Sequence, residues 1–344
     1  MENTKKFSFK NDYSELVHED VLRALAAAGM TQFEGYGLDE CSLRAAALIR
    51  KMTNAPQADI HFISGGTQAN LVVLSSILRP FEAVIAAESA HIAVHEAGAV
   101  ESTGHKICAA AGKDGKLSPV EIDMILTAHE DEHMVKPRVV YLSHSTEMGT
   151  IYKKDELRAI STYCRENGLY LYLDGARLGT AVNSPSSDLS YTDISKLVDV
   201  FYIGGTKNGA LFGEAIVICS EALKENFRYS LKQKGAMLAK GAAIGIQFEA
   251  LLCGGLYDGL AVRANKSAQR LADGIRKAGF DFLYPVETNM IYPVFPVDIA
   301  EALHNLYDFY DSSKTGGLIS TRMVTSWATP DEIIDIFLKD LSEL

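Results

Sequence analysis

The feature that most constrains the fold is a regular alternation of short apolar segments with helical patterns, which begins at Ala58. The apolar segments are rich in β-branched and aromatic residues, as buried strands are. They are IHFIS, AVIAAE, HKICAAA, RVVYLS, LYLYLD, VFYIGG and AIVICS. Helical patterns separate several of them, notably TQANLVVLSSIL, SPVEIDMILTAHEDE and KKDELRAISTYCREN. This alternation predicts an α/β fold with a mainly parallel sheet covered by helices on both faces.

The pattern changes after Ser220, and this change predicts a second domain. Residues 221–280 are largely helical, and a smaller α+β pattern follows them to the end of the chain. We therefore predict an N-terminal segment and large domain over residues 1–250. A small C-terminal α+β domain, including a connecting helix, is predicted over residues 251–344.

One predicted strand ends in a glycine turn that presents a single lysine. The stretch VDVFYIGGTKNG places Lys207 just past the strand, where α/β sheets keep their ligand crevice. An amine that is partly desolvated there is neutral enough to attack a carbonyl. Considered alone, however, a lysine in a loop is more often an ordinary solvated side chain.

Two further strand ends make the ordinary explanation weaker. LYLYLDGARLG ends a strand at Asp174, which could keep a pyridine nitrogen protonated, and Arg177 follows with a guanidinium suited to a carboxylate. SGGTQAN joins a strand to a helix start, where backbone N–H groups favour a phosphate. A lysine, a carboxylate and an anion-binding helix start are three parts that a pyridoxal phosphate site needs.

Other polar residues are candidates for the same site, although each has an ordinary structural explanation. His91 follows a strand and could stack on an aromatic cofactor, while His144 and Glu147 follow another and could do acid–base work. Arg322 lies in an apolar strand pattern, so it needs an anionic partner if it is buried. Tyr36, in the glycine-punctuated loop FEGYGLDE, is predicted to contact the substrate.

Composition excludes several classes of partner. A net charge of −11 argues against nucleic acid and anionic membranes. Scattered cysteines without a CxxC pair, and no apolar run or signal-peptide core, indicate a cytoplasmic protein with reduced thiols. No set of side chains with metal-ligand spacing accompanies His91, so we expect no metal.

Several motifs, taken together in order and spacing, resemble those of a known family over nearly the whole chain. They are GGTQAN, AHI…HEAGAVE, DGARLG, GGTKNG and TRMVTSW. The chain resembles the low-specificity L-threonine aldolases, pyridoxal-phosphate enzymes of the aspartate-aminotransferase fold type (fold type I) that are grouped with the β-eliminating lyases. The resemblance implies cleavage of threonine and related β-hydroxy-α-amino acids to glycine and an aldehyde, in a homo-oligomer (a dimer or a tetramer).

The resemblance also implies roles for individual residues. Lys207 would carry the cofactor as a Schiff base, Asp174 would pair with its ring nitrogen, and His91 would stack on the ring. The remaining roles are the phosphate contacts Gly66, Thr67 and Thr206 and the substrate-carboxylate contacts Arg177 and Arg322.

Two departures from the family pattern stand out. The family often has S-D-x-x-T or S-D-N-Y-S near its N-terminus, whereas this chain has Lys10, Asn11, Asp12, Tyr13 and Ser14. Many members have a histidine in an N-T-H-N-like turn, where this chain has Glu147, so Glu147 becomes a candidate base. The alternatives are a β-eliminating lyase or aminotransferase of the same fold, a non-catalytic protein that binds the cofactor, and an α/β scaffold without a cofactor.

Overall fold

The computed structural model describes residues 6–344 and consists of alternating strands and helices. Within this range the strands are β1 (Phe7–Ser8), β2 (Asp59–Ile63), β3 (Glu82–Ala87), β4 (Lys106–Ala110), β5 (Lys136–Ser143), β6 (Tyr170–Asp174), β7 (Val200–Gly204), β8 (Glu214–Ile218), β9 (Met290–Ile291), β10 (Val294–Pro296), β11 (Tyr307–Asp308), β12 (Tyr310–Thr315) and β13 (Leu318–Val324). The α-helices are α1 (Glu19–Ala27), α2 (Glu40–Thr53), α3 (Gly66–Ile77), α4 (His91–Val94), α5 (Pro119–Thr127), α6 (Lys154–Glu166), α7 (Leu178–Val182), α8 (Tyr191–Leu197), α9 (Phe227–Gln233), α10 (Ala242–Leu252), α11 (Leu256–Lys277), α12 (Val297–Leu306) and α13 (Asp331–Glu343). Short 3-10 turns lie at Glu101–Thr103, Glu221–Leu223 and Cys253–Gly255. Among these helices none is long and apolar enough to cross a membrane.

The large sheet has the strand order β2-β8-β7-β6-β5-β3-β4. Only β8 runs against its neighbours, since it pairs antiparallel with both β2 and β7. Every residue of β3, β7 and β8 is buried, which explains why these segments are apolar without alternation. The mainly parallel α/β sheet predicted from the sequence is confirmed.

A small antiparallel sheet forms the C-terminal part of the fold, as the sequence predicts. Its strand order is β10-β13-β12, and β9 also pairs with β13. Behind it lies a second hydrophobic core, separate from the core around the large sheet. Helix α11 contributes Leu260 to the first core and Leu271 to the second, so it is the helix that connects them. The boundary at residue 250 stays a prediction.

The first described residues pack on the core behind the small sheet. Strand β1 pairs in parallel with β11. Phe9 is fully buried in the second core, with its ring centroid 5.7 Å from that of Phe337. The reason is the burial of an aromatic ring, which a short polar segment does not reveal in the sequence.

Candidate active site

The residues singled out in the sequence meet at one edge of the large sheet. Strands β5, β6 and β7 end there at Ser143, Asp174 and Gly204, and Ser143 lies opposite Asp174 in the ladder. Beyond these ends is a cavity of about 340 Å³. The predicted residues that line it are Gly66, Thr67, His91, Glu147, Asp174, Arg177, Thr206 and Lys207. The others are Tyr13, Ser64, Gly65, Ser143, Ser145, Ala176, Tyr202, Phe212 and Glu214.

Lys207 follows β7 in a turn that a buried carboxylate holds in place. Glu214 accepts a hydrogen bond from the Gly205 N–H at 2.8 Å through one oxygen, and from the Thr206 hydroxyl at 2.8 Å through the other. Burial raises the pKa of Glu214 to about 7. Burial, and then the charge of Arg177, lower the pKa of Lys207. The lysine is therefore neutral more readily than a surface lysine, which suits attack on an aldehyde.

Sequence reasoning missed Glu214, although a signal was present. It is the single charged residue at the start of a strand that is otherwise apolar, EAIVI. Its bond to Thr206 also bears on the predicted phosphate contact, because the Thr206 hydroxyl already donates to Glu214 and accepts from the Gly213 N–H. A phosphate contact by Thr206 stays a prediction.

Asp174 lies at the centre of a buried polar network. Its carboxylate accepts hydrogen bonds from the hydroxyls of Tyr141 and Tyr202, from the Asn70 amide at 3.1 Å and from the Ala176 N–H at 3.0 Å. Together these donors fix the orientation of the carboxylate. The turn that follows requires glycine, because a Cβ at Gly175 would lie 1.8 Å from the carbonyl oxygen of Tyr202.

The network continues from Asp174 to His91. The amide of Asn70 also donates to Glu96 at 2.7 Å, and the same oxygen of Glu96 lies 2.8 Å from His91 Nδ1. The Glu96 side chain is fully buried, whereas the His91 ring is partly exposed to the cavity. Glu96 thus orients the imidazole that is predicted to stack on the cofactor. Glu96 lies five residues after His91 in the motif AHI…HEAGAVE, and sequence reasoning did not predict this contact.

Glu147 and His144 have different surroundings. Glu147 lines the cavity, where one of its oxygens accepts from the Ser143 hydroxyl at 2.7 Å and from the His91 N–H at 2.8 Å. Burial raises the pKa of Glu147, and the bond from Ser143 opposes that rise. His144 is fully buried away from the cavity lining, and burial lowers its pKa to about 3. Of the two candidate bases, the carboxylate is the one that faces the cavity.

The two predicted carboxylate-binding arginines belong to different parts of the fold. Arg177 lines the cavity directly, whereas Arg322 on β13 does not. The charges of both guanidiniums act on the Tyr292 hydroxyl. Burial raises the pKa of Tyr292, and the charges of Arg322 and Arg177 oppose that rise. The Tyr292 hydroxyl donates to the Glu147 carbonyl at 2.5 Å. The charges of both arginines therefore act close to the turn of Glu147.

The start of helix α3 has the properties of an anion site. Its N-cap, Gly65, supplies no side-chain hydrogen bond, so the first-turn N–H groups are left for a ligand. Gly66 is also sterically required, because a Cβ there would lie 2.9 Å from the Tyr202 hydroxyl that donates to Asp174. With Lys207 and Asp174 in the same cavity, the residues fit a phosphate ester that carries an aldehyde and a basic ring nitrogen.

Tyr36 lies elsewhere in the subunit. It lines a separate cavity of about 150 Å³ beside Arg228, and the Nζ of Lys232 sits 4.6 Å from its ring centroid. Its predicted substrate contact is therefore not made within one chain. As to metals, the described residues contain no cluster of three or more His, Cys, Asp or Glu side chains that could hold an ion.

Comparison with known proteins identifies relatives over nearly the whole chain. The family model for beta-eliminating lyases matches residues 17–296. The low specificity L-threonine aldolase of Pseudomonas aeruginosa is 34% identical, over 99% of this chain and 98% of that protein. The corresponding protein of another Pseudomonas species is also 34% identical, over 94% and 93%.

Solved structures show the same relationship. The threonine aldolase structure from Leishmania major has a TM-score of 0.96 at 45% identity, and the match covers 98% of this chain and 99% of that one. An aspartate aminotransferase structure from Thermus thermophilus has a TM-score of 0.73 at 16% identity, covering 99% and 92%, and shows the shared fold. The chain belongs to the beta-eliminating lyase family and, within it, to the low-specificity L-threonine aldolases, a group of pyridoxal-phosphate-dependent lyases.

Proposed function

We propose that this protein uses pyridoxal phosphate to cleave L-threonine, L-allo-threonine and related β-hydroxy-α-amino acids to glycine and an aldehyde. The observation that carries the proposal is the shared cavity of Lys207, Asp174, Arg177 and Glu147 beside the start of α3. The names of the Pseudomonas and Leishmania relatives support the same reaction.

In this proposal the chain would hold the cofactor at three points. The start of α3, with Gly66 and Thr67, would bind the phosphate, and Asp174 would keep a proton on the ring nitrogen. Lys207 would condense with the aldehyde and release water. When bound, pyridoxal phosphate supplies an electron-withdrawing ring that stabilises negative charge at the α-carbon of an amino acid. His91, oriented by Glu96, would stack on that ring.

The remaining residues act on the substrate. Arg177, together with Arg322, binds the carboxylate and so sets the orientation of the bond between the α- and β-carbons. Glu147 takes the proton of the β-hydroxyl, and its raised pKa makes it a stronger base than a surface carboxylate. Glu147 lies on the wall of the same cavity as Arg177, as a base for a substrate held there must.

The test is to incubate the purified protein, loaded with cofactor, with L-threonine and L-allo-threonine and to measure glycine and acetaldehyde in equal amounts. Lys207→Ala is the matched control and should give neither product. Release of pyruvate and ammonia from serine would indicate β-elimination. Transfer of the amino group to an added keto acid would indicate an aminotransferase. Either result without glycine formation contradicts the proposal.

We further propose a homo-oligomer, either a dimer or a tetramer, in the cytoplasm. Exposed apolar side chains in the first forty-three residues support assembly, since Leu16, Met30 and Leu43 are 74%, 96% and 58% exposed. The five cysteines, all in the described residues, are free thiols, which suits a reducing compartment. Light scattering of the eluted protein should give a mass of two or four chains, and an active monomer would contradict the assembly.

A further inference from the structure

The N-terminal segment contacts both predicted carboxylate-binding arginines. The Phe9 carbonyl accepts from the Val324 N–H at 2.8 Å, which joins the segment to the strand that carries Arg322. One residue later, the Lys10 carbonyl accepts from Arg322 Nη1 at 3.0 Å. Two residues after that, Asp12 accepts a hydrogen bond from Arg177.

The contact between Asp12 and Arg177 is a buried, two-pronged ion pair. Arg177 Nε and Nη2 donate to the two oxygens of Asp12 at 2.7 and 2.9 Å. The Asn289 amide donates to Asp12 at 3.0 Å, and Asp12 is 2% exposed. Burial raises the pKa of Asp12, but the charges of Arg177 and Lys207 outweigh it and leave the pKa below its usual value. Asp12 is therefore ionised when the site is at neutral pH.

The pair leaves only part of the arginine for another ligand. A guanidinium has five N–H donors in a planar fork. Asp12 occupies the edge formed by Nε and Nη2, so the Nη1 donors and the second Nη2 donor point away from it. A buried ion pair of this kind is weak evidence for stability, because desolvation opposes the attraction. A role in orienting the guanidinium is the better explanation.

We propose that Asp12 is a positioning residue that holds Arg177 in the orientation in which it receives the substrate's carboxylate. This inference rests on the proposed function, because it takes Arg177 as a carboxylate-binding residue. Without Asp12, Glu147 is an alternative anion for the guanidinium, because it lines the same cavity as Arg177 and its charge acts on that side chain. Turning towards Glu147 would withdraw the guanidinium from the substrate.

The test compares two ligands that differ only by a carboxylate. Glycine and methylamine both react with the bound cofactor through their amines, so absorbance titration of the cofactor-loaded protein gives an affinity for each. Asp12→Asn should weaken glycine binding roughly 3- to 10-fold, because Arg177 must then be ordered on binding. The affinity for methylamine should change by less than about twofold in the same variant. For threonine cleavage, KM should rise more than kcat falls.

Two further variants make the result specific. Asp308→Asn is the matched control. Asp308, on β11, pairs with Lys10 of the N-terminal segment at 3.7 Å, and its replacement should change the affinity for neither ligand. Asn289→Ala keeps the ion pair but removes one bond to Asp12, so it should weaken glycine binding by a smaller factor. It also provides a measurement if Asp12→Asn does not fold.

The outcomes separate this inference from the proposed function. Equal weakening of glycine and methylamine, unchanged glycine affinity, or tighter glycine binding in Asp12→Asn would each overturn the positioning role. Tighter binding would mean that Asp12 competes with the substrate. Suppose that Asp12→Asn weakens the binding of glycine more than that of methylamine, but the wild-type protein cleaves no threonine. The aldolase proposal then fails, while the positioning role stands.

Discussion

Replacing Glu147 with glutamine tests the assignment of the base. The carboxylate oxygen that accepts from Ser143 and from the His91 N–H keeps both bonds in Glu147→Gln, because an amide oxygen also accepts. What the variant loses is the ability to take a proton. General-base catalysis contributes on the order of 10² to 10⁴ in rate. Turnover of threonine should therefore fall by roughly 10²-fold or more, equivalent to about 2.7 kcal/mol of transition-state stabilisation.

The same variant should not be less stable than the wild type. The pKa of Glu147 is raised in the folded protein, so the folded state is penalised as the pH rises above the ordinary value of 4.5. Glutamine carries no charge and removes that penalty. The melting temperature at neutral pH should be unchanged or slightly higher, and glycine should still bind, because the arginines hold the carboxylate.

The assay is the rate of acetaldehyde formation as a function of pH. Wild-type kcat should fall as the pH drops through the raised pKa of Glu147, and this acidic limb should be absent from the residual activity of Glu147→Gln. His144→Gln is the comparison, since His144 is buried outside the cavity lining and its loss should affect kcat only mildly. An inactive His144 variant beside a Glu147 variant that keeps its rate would refute the assignment and identify the histidine as the base.

Two further variants test the surroundings of the cofactor. Asp174→Asn should lower the rate by roughly 10²-fold or more, because the ring nitrogen loses its anionic partner; wild-type activity in that variant would remove Asp174 from the mechanism. Glu214→Gln should change the pH dependence of stability. The pKa of Glu214 is about 7 in the folded protein, above its ordinary value of 4.5, so the folded protein binds this proton more tightly than the unfolded chain does. In urea unfolding of the cofactor-free protein, the free energy of unfolding of the wild type should fall by on the order of 3 kcal/mol, relative to that of Glu214→Gln, between pH 4.5 and about pH 7. If the two free energies change in parallel with pH, the predicted shift is contradicted.

The predicted site residues that line the cavity mostly follow an apolar strand. Lys207 and Asp174 are visible because a buried strand ends abruptly in a polar residue, and parallel strand ends meet at one edge of a sheet. The alternation of strands and helices likewise predicts the mainly parallel direction of the large sheet, although not its strand order. Local pattern therefore predicts which residues come together wherever the strand direction is also predictable.

The polar partners of these residues were not predictable in the same way. Asn70 donates to Asp174 across 104 residues of sequence, and Asp12 accepts from Arg177 across 165. In sequence such side chains look like ordinary surface residues, since nothing local marks them as buried. The position of Tyr36, outside this cavity, was unpredictable for a related reason. A glycine-punctuated loop has no periodicity from which the direction of its side chains could be predicted.

The central claim is that Lys207 carries pyridoxal phosphate. The most direct measurement is reduction of the cofactor-loaded protein with borohydride, followed by proteolysis and mass mapping of the labelled peptide. The account predicts one pyridoxyl group per chain, on the Lys207 side chain, and a Lys207→Ala protein that lacks the absorbance of the lysine-bound cofactor. A label on any other lysine, or an unchanged absorbance in Lys207→Ala, would contradict it.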